Sequence, residues 1–198
     1  MGRQKEFEPQ LAVEKAMYPF WQKGFSATSI DDLVEATGVQ RYGLYAAFRD
    51  KHGLFLAVID HYLERMVGQM VHVLEQEEAG WTEIQAFFNQ ILSIAATTVG
   101  HNGCLMCNAA NEMGQDDAEI ANKMRRYQER LITLFERALI QAKATNNVGP
   151  NLDPTVGATF LFTTAVSLFA LIKSPLPQAT YAQHVTVALS GLQALSNS

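Results

Sequence analysis

The chain has 198 residues, 48% hydrophobic, 18% charged and 10% aromatic, an ordinary globular balance that excludes a disordered tail, a collagen-like fibre and a disulfide-stapled miniprotein. Its formal net charge of −5 argues against a general nucleic-acid coat. Its two cysteines, Cys104 and Cys107, are too few and too close together to staple it, so the reducing cytoplasm is the expected compartment.

The first ten residues are polar and lack the apolar run of a signal peptide. The pattern that follows reads as helices nearly throughout. Val13, Ala16, Met17 and Phe20 fall on one helical face, with Pro19 inside it and Gly24 as a left-handed cap. Thr28-Ser29, with Asp31 and Asp32 three residues after each, signal the start of a second helix. Its inner face is Ile30, Leu33, Val34 and Thr37, and Gly38 permits a sharp turn. A third helix fits Gln40–Phe48, and Asp50 caps a fourth running from Lys51 to about Glu78. Trp81–Val99 follows, with Ile84, Phe87, Phe88, Ile91 and Leu92 inward. After a break at Gly100–Gly103, Cys104–Met113 forms a short helix. A long amphipathic helix starts at Asp116/Asp117 and reaches about Lys143, and another runs from Asp153-Pro154 to Ile172. That stretch is apolar almost all round from Val156, which demands burial on most sides. Its apolar core, Gly157–Ile172, carries Thr159, Thr163, Thr164 and Ser167 and is shorter than the roughly 20 residues of a membrane span, so no membrane is expected as a partner. The final helix, Gln178–Leu195, repeats Tyr181, Val185, Ala188, Leu192 and Leu195 at heptad spacing, the mark of a helix–helix seam. The expected fold is all-α with about nine helices.

Thr28–Phe48 has the shape of a helix-turn-helix, in which two short helices joined by a glycine-containing turn cross each other. The second helix can then enter a major groove while the first crosses the backbone. Leu44 and Phe48 face the core, leaving Gln40, Arg41, Tyr42 and Tyr45 outward. Gln and Arg bond base edges bidentately, and Tyr hydroxyls suit phosphates. Thr28 and Ser29 lie at a helix N-terminus, where free backbone donors favour a phosphate, and Lys51 is placed to pair with another. Charge gives this reading little help: residues 1–65 carry eight Lys/Arg against nine Asp/Glu. A DNA contact must therefore be local and geometric.

The run GFSATSIDDLVEATGVQRYGLYAAFRDKHGLFLAVI resembles the DNA-binding region of TetR-family transcriptional regulators. The match lies in Gly24-Phe25, Thr28-Ser29-Ile30, Leu33, Gly38-Val39, Gly43-Leu44-Tyr45, Phe48 and Lys51, and covers about residues 10–62. It implies a three-helix DNA-binding domain (1–50) and a ligand-binding and dimerisation body (51–198). The implied function is a homodimeric repressor on a palindromic operator, contacting DNA through Thr28, Ser29, Gln40, Arg41, Tyr42, Gly43, Tyr45 and Lys51. The last two helices, Asp153–Ile172 and Gln178–Leu195, would pair with their symmetry mates, which also solves the burial of the apolar helix. The chain departs from the family pattern in Pro19, in the bulky Arg41 and Tyr42, and in lacking an excess of positive charge.

His101-Asn102-Gly103-Cys104-Leu105-Met106-Cys107 is the most distinctive part of the body. Gly-Cys-Leu opening a short helix resembles a branch of the same family that includes electrophile- and oxidant-sensing repressors. A thiol near a helix N-terminus is more acidic and more nucleophilic. Cys104 would be the reactive thiol, Lys173 its stabilising or bonding partner, and Cys107 one turn on a resolving thiol. The alternative is that both cysteines are ordinary core. His101, Cys104 and Cys107 offer three ligands where structural zinc takes four, so neither metal nor cofactor is expected. Otherwise the effector is a small apolar or aromatic molecule in a cavity lined by Phe87, Phe88, Ile91, Met113, Tyr127, Leu131, Phe160 and Phe169. No catalytic or nucleotide-binding motif is present, which leaves a helical small-molecule-binding module without DNA binding as the competing class.

Overall fold

The computed structural model describes residues 7–194, and among them every regular element is helical. Helix α1 (Pro9–Lys23) places proline in its first turn, where no backbone donor is lost. It buries Ala12, Val13, Ala16, Phe20 and Trp21. Pro19 sits inside the helix as expected. The chain leaves α1 at Gly24, whose φ of 83° disfavours a side chain; a Cβ there would also lie 2.7 Å from a Glu112 oxygen.

Ser29 caps α2 (Ile30–Thr37) with a reciprocal capping box. Its hydroxyl accepts from the Asp32 amide at 3.1 Å, and Asp32 accepts from the Ser29 amide at 2.7 Å. Such a box contributes about 1 kcal/mol. Gly38, left-handed at φ 73°, ends α2 and turns the chain into α3 (Arg41–Phe48). Leu33 and Leu44 are fully buried where the two helices meet α1 and α4.

Asp50 caps α4 (Lys51–Tyr62), accepting from the Gly53 amide at 2.7 Å. The helix continues through one π-helical turn (Leu63–Val67) into α5 (Gly68–Glu75), making a single rod. Counted that way the described residues form nine helical rods. α6 (Trp81–Ala95) stops four residues before the expected Val99, because Thr97 Oγ1 and the Thr97 amide both bond the Ile94 carbonyl. A 3-10 turn (Gly100–Asn102) leads to α7 (Leu105–Met113), capped by Cys104. α8 (Ala118–Ala144) and α9 (Pro154–Ile172) are capped by Asp117 and Asp153, each accepting two backbone N–H bonds.

α8 and α9 pack along each other and, with α6, enclose the body core. Phe87, Phe88 and Phe135 meet ring on ring with centroids 5.1–6.1 Å apart. α9 has 19 residues and a mean hydropathy of 1.9, so by length and composition it could cross a membrane; half of it is buried within the fold. Its outer face is uncharged and mixed, with Val156 66% and Phe160 43% exposed among Thr155, Thr159 and Thr163. That corrects the placement of Phe160 in an internal cavity. Phe160 lies on the opposite face from the buried Leu161, Ala165 and Leu168.

α10 (Gln178–Ala194) turns Tyr181, Val185, Ala188 and Leu192 inward, so their heptad spacing marks a seam within the subunit. Leu195 lies outside the described residues. The outward face of α10 is uncharged and mostly small, with Val187 72% exposed among Ala182, Thr186, Ser190 and Gly191.

Candidate nucleic-acid interface and thiol site

The outward surface of α3 is polar and open. Gln40, Arg41, Tyr42 and Tyr45 are all exposed, Tyr42 at 73%. The Arg41 guanidinium donates to Asp31 at 2.8 Å, a pair exposed on both sides and easily exchanged for another anion. Arg49 closes α3 with φ 74°, and its amide donates to the Tyr45 carbonyl at 2.8 Å. Its exposure at the end of this helix escaped the sequence pattern, which stops at Phe48.

Three expected DNA contacts have other roles. Thr28 is fully buried; its hydroxyl donates to the Gly24 carbonyl at 2.6 Å and its amide to Phe25. A threonine that closes the α1–α2 loop from inside cannot offer its side chain to a phosphate. The Lys51 ammonium donates to the Phe25 and Thr28 carbonyls, both at 2.9 Å, and stands 4.3 Å from the centre of the Phe25 ring. Those carbonyls hold the charge inside the fold. Gly43 is half-buried because α3 passes close to Val39, whose side chain would lie 2.9 Å from an added Cβ. Ser29 is exposed, with its hydroxyl engaged by Asp32. Asp32 is held well below the usual carboxylate range by the bond from Lys23 at 2.6 Å and then by Ser29.

The loop between α1 and α2 is gripped from the body. Glu112, on α7, accepts the amides of Phe25 at 2.9 Å and Ser26 at 2.7 Å, one on each oxygen. Burial raises the Glu112 pKa, and the Ser26 and Phe25 bonds outweigh it to leave a net lowering. Near the other end of α7, the Trp21 indole donates to the Gly103 carbonyl at 3.0 Å. His52 bonds Asp117 at 2.6 Å. Burial raises the Asp117 pKa, and bonds from Ile120 and His52 bring it below the ordinary value.

Cys104 is 1% exposed at the N-cap of α7, and Cys107 is buried one turn on; both are free thiols. The hydrogen bond with Cys107 lowers the Cys104 pKa to about 7 against the pull of burial. Tyr62 and the amides of Cys107 and Met106 add to the lowering. Cys107 moves strongly the other way, first because it is the donor to Cys104 and second because it is buried. Burial, then the charge on Cys104, raises the phenols of Tyr62 and Tyr127, so both stay protonated. Cys104, Cys107, Tyr62 and Tyr127 thus form one cluster contributed by α4, α7 and α8, in which Cys104 is the most acidic member. Tyr62 reads in the sequence only as a helix-face position, and Tyr127 as a lining residue of an effector cavity, with no sign that either stands beside the thiols.

Lys173 departs from expectation. Its stem lies against Gly103, and its ammonium donates to the Asn108 side chain at 3.0 Å. Its bonding partner is thus Asn108, one turn after Cys104 on α7. Phe87, Phe88, Ile91, Tyr127, Leu131 and Phe169 are buried and Met113 half-buried. Among the described residues no group of three or more His, Cys, Asp or Glu side chains could hold a metal. His101 lines a separate cleft with Lys173.

An open polar recognition helix on a helix-turn-helix, joined to an all-helical body, defines a DNA-binding regulator. Residues 13–58 match the family model for bacterial regulatory proteins of the tetR family, and residues 80–186 match the tetracyclin repressor-like C-terminal domain. The chain belongs to the TetR family of transcriptional regulators. It is 36% identical over 164 residues to the HTH-type transcriptional repressor ComR of Escherichia coli strain K12, covering 81% of this chain and 77% of that protein. It is 28% identical over 193 residues to the uncharacterized HTH-type regulator YezE of Bacillus subtilis strain 168, covering 97% and 100%. These relatives are named as regulators, not as enzymes. Among solved structures, a cysteine mutant of CifR complexed with 26-base-pair operator DNA shares the fold. Its TM-score is 0.84 at 24% identity, covering 96% of this chain and 100% of that one. The reduced form of E. coli NemR, at TM-score 0.75 and 17% identity over 94% and 95%, does so as well.

Proposed function

We propose that the protein is a homodimeric repressor that reads a palindromic operator in the cytoplasm and releases it when an effector acts on the body. The DNA-binding domain is residues 1–50 and the body 51–198. The observation that carries the reading is the α3 surface, where Gln40, Arg41, Tyr42 and Tyr45 are exposed above a buried Leu44. Gln40 and Arg41 read base edges, while Tyr42 and Tyr45 hold phosphates, with Ser29 at the α2 N-terminus beside them. The dimer forms through the outer faces of α9 and α10. The exposed Val156, Phe160 and Val187 on these uncharged faces are costly to leave in water. A two-fold four-helix interface covers them and sets the two recognition helices about 34 Å apart, one turn of DNA.

The effector is a small apolar or electrophilic molecule, and Cys104 is its covalent target. In that addition the thiolate lone pair forms a bond to the electron-poor carbon of an activated double bond, whose π pair shifts to the neighbouring carbon and takes a proton from water. Where the agent is instead a peroxide, it oxidises Cys104 to the sulfenic acid, and Cys107 serves as the resolving thiol, attacking that sulfur to form a disulfide with loss of water. The consequence travels along α7, which carries Cys104 at one end and Glu112, gripping the α1–α2 loop, at the other. A bulky adduct on a buried N-cap forces α7 to shift, and Glu112 moves with it. Gel shift of the dimer on its own upstream DNA, with and without N-ethylmaleimide, tests this. We expect binding that the reagent abolishes in the native protein and leaves intact in Cys104→Ser. Release of DNA by the reagent from Cys104→Ser overturns the thiol role.

A further inference from the structure

Two clefts share one wall, and that wall is Lys173. The smaller, about 310 Å3, lies where the end of α1 meets α7 and includes Trp21, Asn108 and Glu112. The larger, about 540 Å3, lies where α6 meets the α9–α10 connection. Its apolar walls include Ala95, Ile172 and Leu176, and its polar groups include His101 and Lys173. Tyr181 stiffens the rim, its hydroxyl donating between the Ser174 and Leu176 carbonyls at 3.0 and 3.2 Å.

The chemistry of Lys173 decides what fits. Its ammonium is bonded to a neutral amide oxygen, that of Asn108. A charge-assisted bond to a carboxylate is roughly twice as strong as a neutral one. Glu112, the carboxylate on the other side of the wall, already has both oxygens taken by backbone amides. The ammonium is held on the smaller-cleft side, by Asn108, a neutral partner that a carboxylate can outcompete; Lys173 also lines the larger cleft, beside apolar walls and the His101 imidazole. The larger cleft's volume is within the range of small-ligand sites.

We propose that the larger cleft binds a small amphiphilic carboxylate. Its tail lies on Ala95, Ile172 and Leu176, and its head is held by Lys173 and His101. The head group takes the Lys173 ammonium from Asn108, and Asn108 belongs to α7, the helix that grips the DNA-binding unit. That regulatory consequence rests on the repressor reading above; the binding site does not.

Isothermal titration of the full-length protein with hexanoate tests the site. Hexanol supplies the same tail without charge, and acetate the same charge without a tail. We expect saturable binding of hexanoate, with both controls at least about tenfold weaker. Lys173→Met and Leu176→Asp should each remove it, the first by loss of the cation and the second by loss of the apolar contact and repulsion of the head group, with unchanged circular dichroism confirming that the variants fold. Asn108→Ala breaks the same Lys173 bond from the other side but keeps the cation, so it should bind hexanoate at least as tightly as the native chain. Absence of saturable hexanoate binding overturns the proposal, as does equal binding of hexanol or binding unchanged in Lys173→Met. Loss of hexanoate binding in Asn108→Ala overturns it too, since the Lys173–Asn108 bond would then be merely structural. Operator binding without hexanoate, measured alongside, reports on the repressor reading separately.

Discussion

The face of α3 and the N-terminal end of α7 carry the two halves of the proposed function, and they are built in opposite ways. On α3 the working groups are exposed, contributed by one short helix and positioned by what lies beneath them: Leu44, Gly38 and the Ser29–Asp32 box. At α7 the working thiol is buried and surrounded by groups from α4, α7 and α8. A surface site tolerates change in its own residues and fails when its support fails. A buried site is sensitive at every member, because unpaired polar groups have no water to turn to.

The largest effect is therefore expected under the recognition helix. In Gly53→Ala the added Cβ would meet the Phe48 carbonyl at 2.0 Å, and backbone cannot step aside as a side chain can. We expect a loss of about 3 kcal/mol. That corresponds to a fall of roughly 6–12 °C in the thermal midpoint for a chain of this size. Operator binding should be lost with it. A midpoint within a degree or two of the native one would show that the α3–α4 corner is softer than its geometry implies.

On the exposed face itself, Arg41→Ala should cost roughly 1–3 kcal/mol of operator binding, about 5- to 150-fold, with no change in the thermal midpoint. Fluorescence anisotropy on a fixed duplex measures both native and variant proteins. Tyr45→Phe should cost less and act alike on every sequence, as expected for a phosphate contact. If Arg41→Ala binds as the native protein does, base reading lies with Gln40 and Arg49.

The contrast also explains what could be read from the sequence. The helix-turn-helix was legible because its signals are local: the Ser29–Asp32 spacing, Gly38, and the Leu44–Phe48 pair. The core roles of Thr28 and Lys51 were not, since they depend on carbonyls of the α1–α2 loop that sit close only after folding. Likewise Cys104 announced itself as a helix cap, whereas its partners Tyr62 and Tyr127 lie 42 residues before and 23 after it. Glu112 carried no signal at all; its grip on Phe25 and Ser26 spans 87 and 86 residues.

Two pH effects sharpen the comparison. The rate of Cys104 alkylation should rise through about pH 7 and level off above it, since that is where the thiol loses its proton. Cys107 should stay unreactive over the same range. Mass spectrometry after brief alkylation separates the two. A single rise near pH 8.5, the ordinary thiol value, would mean that the Cys107 and Tyr62 bonds do not hold the thiolate. The second effect runs the other way along the scale. Glu112 and Asp117 have folded pKa values below their unfolded ones. Their contribution is thus complete above the unfolded carboxylate values and is lost as pH falls through the lowered folded ones. Glu112→Gln should remove part of that acid sensitivity, and denaturation melts between pH 3 and 6 would show it, these limits bracketing roughly the carboxylate range.

The smallest effect belongs to the exposed pair on the DNA side. Asp31 holds Arg41 at 2.8 Å, but both side chains are more than half exposed, so their attraction is screened by water and salt. Asp31→Asn should leave the thermal midpoint unchanged within error. It removes a negative charge from a face that must approach phosphates and frees the guanidinium for a base. Operator affinity should therefore rise, by about two- to fivefold at low salt and by less as salt screens it. A fall in affinity would mean that Asp31 is a positioning partner, holding Arg41 in the orientation the groove requires. In that case recognition would begin one helix earlier, on α2.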